Sequence, residues 1–107
     1  MLRHIETSGK RRTFASLLHG TMAAGMASAL GLQCQAGRQV ICLAGDGGFA
    51  MLLGDLLTTV QEDLPIKIVV YDNGRLGFVD IEQKAAGLVP VYTDLKNPDF
   101  GEVAKGR

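Results

Sequence analysis

The sequence contains no tryptophan, few aromatic residues and no excess of charge of either sign. Aromatic residues make up 6% of its 107 residues, and 11 basic side chains balance 11 acidic ones. Because nucleic-acid binding domains carry a clear basic excess, this balance argues against a nucleic-acid partner. The only basic cluster, Lys10-Arg11-Arg12, is short, and we interpret it as a solvated loop.

Long apolar runs and clustered cysteines are also missing. No apolar stretch reaches the roughly 18 residues of a membrane span, and the N-terminal residues lack the apolar core of a signal peptide. Membrane contact would therefore need parts outside this sequence. The two cysteines, Cys34 and Cys42, have no accompanying histidine pattern, so we predict free thiols in a cytoplasmic protein.

The 47% of hydrophobic residues are distributed as expected for an α/β protein. Small residues predict a helix over Gly20–Gln33, and apolar positions at helical spacing predict a second over Phe49–Gln61. The runs Gln39–Ala44 and Ile66–Tyr71 are apolar throughout, which is typical of parallel strands buried on both faces. Strand, helix and strand in this order predict a parallel βαβ unit.

The second half of the sequence predicts a turn over 72–74 and two more helices. The first, over Leu76–Ala86, is expected to bury a face carrying Phe78 and Ile81, with Asp80 and Lys84 as surface charges. For the last helix, Asn97 is the predicted N-cap and Pro98 the first helical residue.

The predicted fold class is α/β, a partial doubly wound parallel sheet with helices on both faces. The last helix has barely begun when the sequence ends. We therefore expect residues 1–107 to form one domain, and an incomplete one, of a larger enzyme.

Polar residues follow both predicted strands. Asp46 lies in the turn Gly45-Asp46-Gly47-Gly48 after the first strand, and Asn73 follows the second. Parallel strands bind ligands at their carboxyl ends, and neighbouring strands lie about 4.8 Å apart, so one cation can contact both side chains. A carboxylate, an amide oxygen and a backbone carbonyl near Arg75 are hard ligands of the kind Mg²⁺ prefers.

The glycines of this turn allow close approach of the backbone, and the helix that follows presents free N–H groups to an anion. The two strand ends together predict a magnesium-diphosphate site. Each motif alone also has a plain interpretation as a turn, since glycine, aspartate and asparagine are common turn residues.

These motifs resemble the diphosphate-binding domain of thiamine-diphosphate-dependent enzymes. The resemblance is carried by Gly45-Asp46-Gly47-Gly48-Phe49 through Tyr71-Asp72-Asn73, and it extends to His19-Gly20-Thr21-Met22, Leu76-Gly77-Phe78-Val79 and Asn97-Pro98-Asp99-Phe100. Within the family, the sequence is most similar to pyruvate oxidase, including the quinone-linked pyruvate dehydrogenase type, and next to acetolactate synthase. Asp72 departs from the asparagine that many members carry there.

The resemblance implies a role for each matching position. Mg²⁺ would be bound by Asp46, Asn73 and the carbonyl of Arg75. The diphosphate would contact the backbone of Gly47, Gly48 and Phe49, and Gly45 would be a further cofactor-binding residue. The pyrimidine would be held by the Gly20 carbonyl and the Met22 N–H, with the Met22 side chain supporting the bent cofactor. The substrate side would be lined by Phe78, Val79 and Glu82.

For the whole enzyme, the resemblance implies decarboxylation of a 2-oxo acid, pyruvate in the first instance, by thiamine diphosphate and Mg²⁺. It also implies FAD in a full-length enzyme of the pyruvate oxidase type, a homo-oligomer, and an active site shared with the pyrimidine-binding domain of another subunit. The isolated chain is then expected to be inactive. The alternatives are an acetolactate-synthase-like enzyme fragment and a non-catalytic assembly module.

Overall fold

The computed structural model describes residues 4–15 and 18–106. Residues 1–3, on which part of the signal-peptide prediction rests, lie outside the described residues. The elements are the helices α1 (Ala24–Ala36), α2 (Asp46–Met51), α3 (Leu56–Gln61), α4 (Gly77–Ala85) and α5 (Phe100–Lys105), the strands β1 (Ile41–Gly45) and β2 (Lys67–Tyr71), and a 3₁₀ turn over Leu53–Asp55 between α2 and α3.

The two strands pair in parallel, from Ile41 opposite Lys67 to Gly45 opposite Tyr71. Their carboxyl ends therefore meet at one edge of the sheet, in register. The chain between them runs through α2 and α3, which makes the predicted βαβ unit. A parallel sheet flanked by helices confirms the α/β class.

The core forms where α1, β1 and α2 meet. Its buried members are Met26 and Ala29 from α1, Cys42 from β1 and Phe49 from α2. The Phe49 ring packs edge to face against Phe100 of α5, with ring centroids 5.3 Å apart. Such a pair adds about 0.5–1.5 kcal/mol beyond the area it buries. This contact ties α5 to the start of α2, and so to the strand ends.

The prediction that both strands are buried on both faces is wrong for this chain. Cys42 is buried and Ile68 and Val70 pack against the core, whereas the alternating positions Ile41 and Tyr71 are 59% and 50% exposed. Side chains alternate between the two faces of a strand. The described helices thus bury one face of the sheet. The other face carries exposed apolar side chains.

The long second helix is also not continuous. It begins at Asp46, directly after β1, and stops at Leu52, whose φ of −120° and ψ of 31° are not helical. The 3₁₀ turn around Gly54 reorients the chain before α3, so Leu57 is exposed although its spacing predicted burial. Glycine in a helix interior favours such a break because it is the weakest helix former after proline.

The first helix begins four residues later than predicted, at Ala24. Gly20 has a φ of +59°, a left-handed conformation that does not belong to a right-handed helix. Residues 20–23 therefore form an extended approach and a turn, closed by the Ala24 N–H donating to the Thr21 carbonyl. This approach lies next to the glycine turn after β1, as described below.

The predicted buried face of α4 is wrong. Phe78 is 83% exposed and Ile81 is exposed, whereas Asp80, predicted to be a surface charge, is only 7% exposed. The Lys84 ammonium lies 2.7 Å from Asp80 and the Arg75 guanidinium 4.0 Å from it. These cations offset the cost of burying a carboxylate. Periodicity alone does not reveal such a pairing.

The cap of the last helix is Asp99, not Asn97. The Asp99 carboxylate accepts a hydrogen bond of 3.0 Å from the Glu102 N–H, and α5 begins at Phe100. Both Asn and Asp are good N-caps, so the motif Asn97-Pro98-Asp99 predicts where the helix begins but not which residue caps it. Asn97 instead contacts the ends of the strands.

Within the described part of the chain, every helix is too short or too polar to cross a bilayer.

The two cysteines are free thiols, as predicted, with Cys34 exposed and Cys42 buried. Burial raises the pKa of the Cys42 thiol, which lowers its thiolate fraction as well as its access. We expect a thiol reagent at pH 8 to label Cys34 at once and Cys42 at least about tenfold more slowly until denaturant is added. Equal labelling rates in the native chain, or a surviving fast phase in Cys34→Ser, would contradict this assignment.

Candidate metal-diphosphate site

Two carboxylates lie side by side where the sheet ends. Asp46 directly follows Gly45, the last residue of β1, and Asp72 directly follows Tyr71, the last residue of β2. Because Gly45 and Tyr71 are partners in the parallel register, the two side chains leave the sheet at the same level. Asp46 is 3% exposed, whereas Asp72 is exposed.

Two donors bridge these carboxylates. The side-chain nitrogen of Asn97 lies 2.8 Å from Asp46 Oδ2 and 2.9 Å from Asp72 Oδ1. The Gly74 N–H lies 3.0 Å from each of the same two oxygens. Hydrogen bonds to an ionised acceptor are stronger than neutral ones. The two negative groups are therefore held together by donors placed between them.

The Asp46 carboxyl remains acidic despite its burial. Burial by itself raises the pKa, but the hydrogen bonds from the Asn97 side chain and from the Gly47 and Gly74 N–H groups together bring the pKa below its ordinary value. Asp46 is consequently a charged carboxylate at neutral pH. A buried carboxylate of this kind is a suitable ligand for a small divalent cation.

The turn 72–74 depends on its glycine. Gly74 has a φ of +66°, a conformation that L side chains rarely adopt, and it directs its N–H to Asp46 and Asp72. Asn73 Oδ1 accepts the Arg75 N–H at 3.2 Å, which fixes the amide in the turn. The oxygen of Asn73 keeps a second lone pair for a cation.

A short antiparallel segment holds the chain after this turn. The Leu76 N–H donates to the Thr93 carbonyl at 2.7 Å, and the Leu95 N–H donates to the Gly74 carbonyl at 2.8 Å. Arg75 lies between these bonds, opposite Asp94. Among the described residues, no hydrogen bond reaches the Arg75 carbonyl, so this oxygen is available to a ligand.

The side chain of Arg75 anchors the same segment. Its guanidinium lies 3.2 Å from Asp94 and 4.0 Å from Asp80. Because Asp94 is exposed, that pair adds little stability by itself. The buried Asp80 is the stronger anchor, since it joins Arg75 to Lys84 on α4. These contacts fix the backbone position of Arg75. The sequence had indicated a role only for the backbone carbonyl of this residue.

The three predicted oxygen donors fit a hard cation. Asp46 offers a charge, Asn73 an amide oxygen and Arg75 a backbone carbonyl, and Mg²⁺ takes such ligands together with phosphate oxygens. No group of three or more histidine, cysteine or acidic side chains suited to a metal occurs among residues 4–15 and 18–106. A cation bound here would thus depend on neutral oxygens and on the anion that accompanies it.

The glycines after Asp46 have a packing role. A β-carbon on Gly48 would lie 2.6 Å from the Met22 carbonyl oxygen, and one on Gly47 would lie 2.7 Å from a Leu76 methyl and 3.2 Å from the Met22 side chain. The backbone of Met22 therefore passes directly over the first turn of α2. The N-cap residue Gly45 has no side chain to cap this turn, and within the turn the Gly47 N–H donates to the Asp46 carboxylate.

The structure brings some predicted site residues together and leaves others apart. Asp46, Asn73, Arg75, Gly47, Gly48 and Met22 are joined by the contacts above, and Phe49 is buried beneath them. Gly20 lies on the approach to Met22. Phe78, Val79 and Glu82 are exposed on α4, and among the described residues the Glu82 side chain makes no hydrogen bond to Asp46 or Asp72.

Sequence reasoning missed Asn97 and Asp80. Asn97 was assigned to the helix cap. Two carboxylates at adjacent strand ends require a hydrogen-bond donor between them, and this requirement could have indicated a role for Asn97. Asp80 carried no signal in the apolar spacing of α4. Its basic neighbours at positions 75 and 84 were the only indication.

Comparison with known proteins identifies the family of this chain. The family described as "Thiamine pyrophosphate enzyme, C-terminal TPP binding domain" matches residues 1–107. The chain is 35% identical over 106 residues to the pyruvate oxidase of Lactiplantibacillus plantarum, covering 97% of this chain and 18% of that protein. It is 38% identical over 78 residues to the acetolactate synthase isozyme 2 large subunit of Escherichia coli, covering 72% and 14%.

A solved structure is similar as well. The thiamine diphosphate-dependent 4-hydroxybenzoylformate decarboxylase of Rhodococcus jostii RHA1 superposes with a TM-score of 0.72 at 29% identity, over 79% of this chain and 16% of that one. The chain therefore belongs to the thiamine pyrophosphate enzyme family, as its C-terminal, cofactor-binding domain. It spans about a fifth of the length of the curated relatives it matches.

Proposed function

We propose that this chain binds the magnesium-diphosphate end of thiamine diphosphate within a larger, pyruvate oxidase-like enzyme that decarboxylates a 2-oxo acid. The observation that carries the proposal is the buried, ionised Asp46 at the meeting point of two parallel strands. Gly74, whose N–H donates to Asp46, stands between Asn73 and Arg75, and this supports the Asn73 amide oxygen and the Arg75 carbonyl as the other donors to Mg²⁺.

Different residues would hold the cation and the diphosphate of the cofactor. Asp46, Asn73 and the Arg75 carbonyl would bind Mg²⁺, and the backbone of Gly47, Gly48 and Phe49 at the start of α2 would contact the diphosphate, with the Gly47 N–H also donating to Asp46. Gly45 ends β1 in an extended conformation and is the N-cap residue of α2. Thiamine diphosphate supplies the electron sink for decarboxylation.

Met22 is suited to the organic part of the cofactor. Its backbone lies against Gly48, and its side chain, 48% exposed, stands beside Gly47. An apolar side chain in this place supports a ligand whose diphosphate is bound at α2. The Gly20 carbonyl and Met22 N–H hold the pyrimidine edge, while Phe78, Val79 and Glu82 on α4 face the 2-oxo acid in the assembled enzyme.

The remainder of the active site comes from outside this chain. The radius of gyration is 15.4 Å, against about 13 Å for a compact domain of this length. Large apolar side chains stay exposed on α4, on the loop after it and on the open sheet face, among them Phe78, Tyr92 and Ile41. This surface supports docking of a pyrimidine-binding domain from another subunit in a homo-oligomer, and residues 1–107 are then an incomplete domain.

Two alternatives remain distinct from this proposal. The similar identities to pyruvate oxidase and to acetolactate synthase favour an acetolactate-synthase-like enzyme nearly as well. A full-length enzyme of the pyruvate oxidase type would also bind FAD. A cytoplasmic location is compatible with the pyruvate oxidase-like and the acetolactate-synthase-like enzyme. The exposed apolar surface favours the second alternative, a non-catalytic assembly module.

Thermal unfolding of the purified chain tests the proposal. Thiamine diphosphate with Mg²⁺ at a hundred times its dissociation constant should stabilise the native state by about 2.7 kcal/mol, which corresponds to a midpoint shift of roughly 10 °C or more. Thiamine without its diphosphate is the control and should give no shift. An assembly module would show no shift with either compound, and release of CO₂ from pyruvate by this chain alone would contradict the shared active site.

A further inference from the structure

Asn97 joins the two strand ends although it lies 51 residues after Asp46 in the sequence. It precedes Pro98 in the chain that leads into α5, and its side chain is half-buried. One nitrogen makes both contacts, at 2.8 Å to Asp46 and 2.9 Å to Asp72. An amide nitrogen carries two hydrogens, so each carboxylate receives one.

An amide is the side chain that this position requires. A serine hydroxyl has one hydrogen, which the two carboxylates would have to share as they share that of the Gly74 N–H, and an aspartate has none when ionised. A lysine could donate to both, but its charge would repel a cation bound at Asp46. Asn97 therefore satisfies two negative groups without adding charge of its own.

Asn97 is itself held from both sides. Before it, the Leu95 N–H is bonded to the Gly74 carbonyl at 2.8 Å. After it, Asp99 caps α5, and Phe100 packs on Phe49 beneath the site. Gly74 in turn donates to the same oxygen of Asp46 as Asn97 does. Two donors from separate segments thus fix one oxygen of this carboxylate.

We propose that Asn97 is a positioning residue of the metal site, which holds the Asp46 carboxylate in the orientation that binds the cation. The inference rests on the proposed function, because it assigns Asn97 a role toward the ion that Asp46 binds. Asn97 does not contact the ion. It acts through Asp46, and Asp72 serves as the second point to which its amide is fixed.

Removing the Asn97 amide is expected to weaken metal binding while the chain stays folded. Hydrogen-bond partners of metal ligands change metal affinity by about 10–100-fold when they are removed. In Asn97→Ala, the Gly74 N–H still donates to Asp46 and Asp72, so the turn keeps one of its two bridges. We therefore expect a folded variant whose dissociation constant for the metal rises about 10–100-fold.

The test is a titration of Mn²⁺ in the presence of thiamine diphosphate, followed by electron paramagnetic resonance of the free ion. The chains compared are the wild type, Asn97→Ala, Asn97→Leu and Asp99→Ala. Leucine has the branched shape of asparagine without its donors, although its methyl groups are larger. Asp99→Ala removes the cap of α5, two residues away, and leaves both contacts of Asn97 in place.

We expect both Asn97 variants to bind Mn²⁺ about 10–100-fold more weakly, with Asp99→Ala within about threefold of the wild type. Wild-type affinity in Asn97→Leu would assign the side chain a packing role and overturn the inference. An equal loss in Asp99→Ala would do the same, since the effect would then act through α5. A wild-type chain that does not bind Mn²⁺ with the cofactor would refute the proposed function itself.

Discussion

Asp46→Ala should lose magnesium-dependent binding of thiamine diphosphate, with an affinity at least about a hundredfold weaker. Asp46 is the only charged member of the proposed donor set, and it is buried where a water molecule cannot replace it without cost. The variant should still fold, because Gly74 and Asn97 retain their bonds to Asp72. Calorimetric titration of the variant with the cofactor, in buffer containing Mg²⁺, measures the loss.

Asp72→Asn is the matched control for this variant. It removes the neighbouring charge but keeps an oxygen that accepts the bonds from Gly74 and Asn97. Its affinity for the cofactor should stay within about threefold of the wild type, as expected for an exposed residue outside the donor set. If Asp46→Ala binds the cofactor as the wild type does, the assignment of the metal site is wrong.

Gly48→Ala should destabilise the chain by about 1–3 kcal/mol. The new methyl group would lie 2.6 Å from the Met22 carbonyl oxygen and 3.1 Å from its carbon, both backbone atoms that cannot rotate away. The gain in helix propensity, about 1 kcal/mol, offsets only part of this cost. Urea unfolding followed by circular dichroism gives the difference directly.

Two other glycines make this prediction specific. At Gly54 a methyl group meets nothing within 4 Å, so Gly54→Ala should change stability by no more than about 0.5 kcal/mol. Gly47→Ala should cost less than Gly48→Ala, because its closest contact is the end of the Leu76 side chain. Equal effects at all three positions would show that the backbone of Met22 does not pack on this turn.

The elements that local sequence patterns determine were predicted well. The two apolar runs became the paired strands, and the polar residues after them, Asp46 and Asn73, came to the same edge of the sheet. Parallel pairing makes this consequence direct, because consecutive strands of a βαβ unit end on the same side. The family was likewise recognisable from the residues around these ends.

The contacts that were missed are long-range or are not described by apolar spacing. Asn97 reaches Asp46 across 51 residues, and no periodicity describes such a contact. Asp80 is buried because Arg75 and Lys84 surround it, which reverses the face that apolar spacing predicted for α4. The apolar pattern of β1 and β2 encodes burial on both faces, and this chain covers only one of them.

The central claim is that Asp46 and its neighbours bind thiamine diphosphate through a divalent cation. Calorimetric titration of the wild-type chain with the cofactor, once with Mg²⁺ and once with EDTA, tests it most directly. The account predicts a binding isotherm with one site per chain when Mg²⁺ is present and no heat of binding in EDTA. Binding of equal strength in both buffers, or no binding in either, would contradict it.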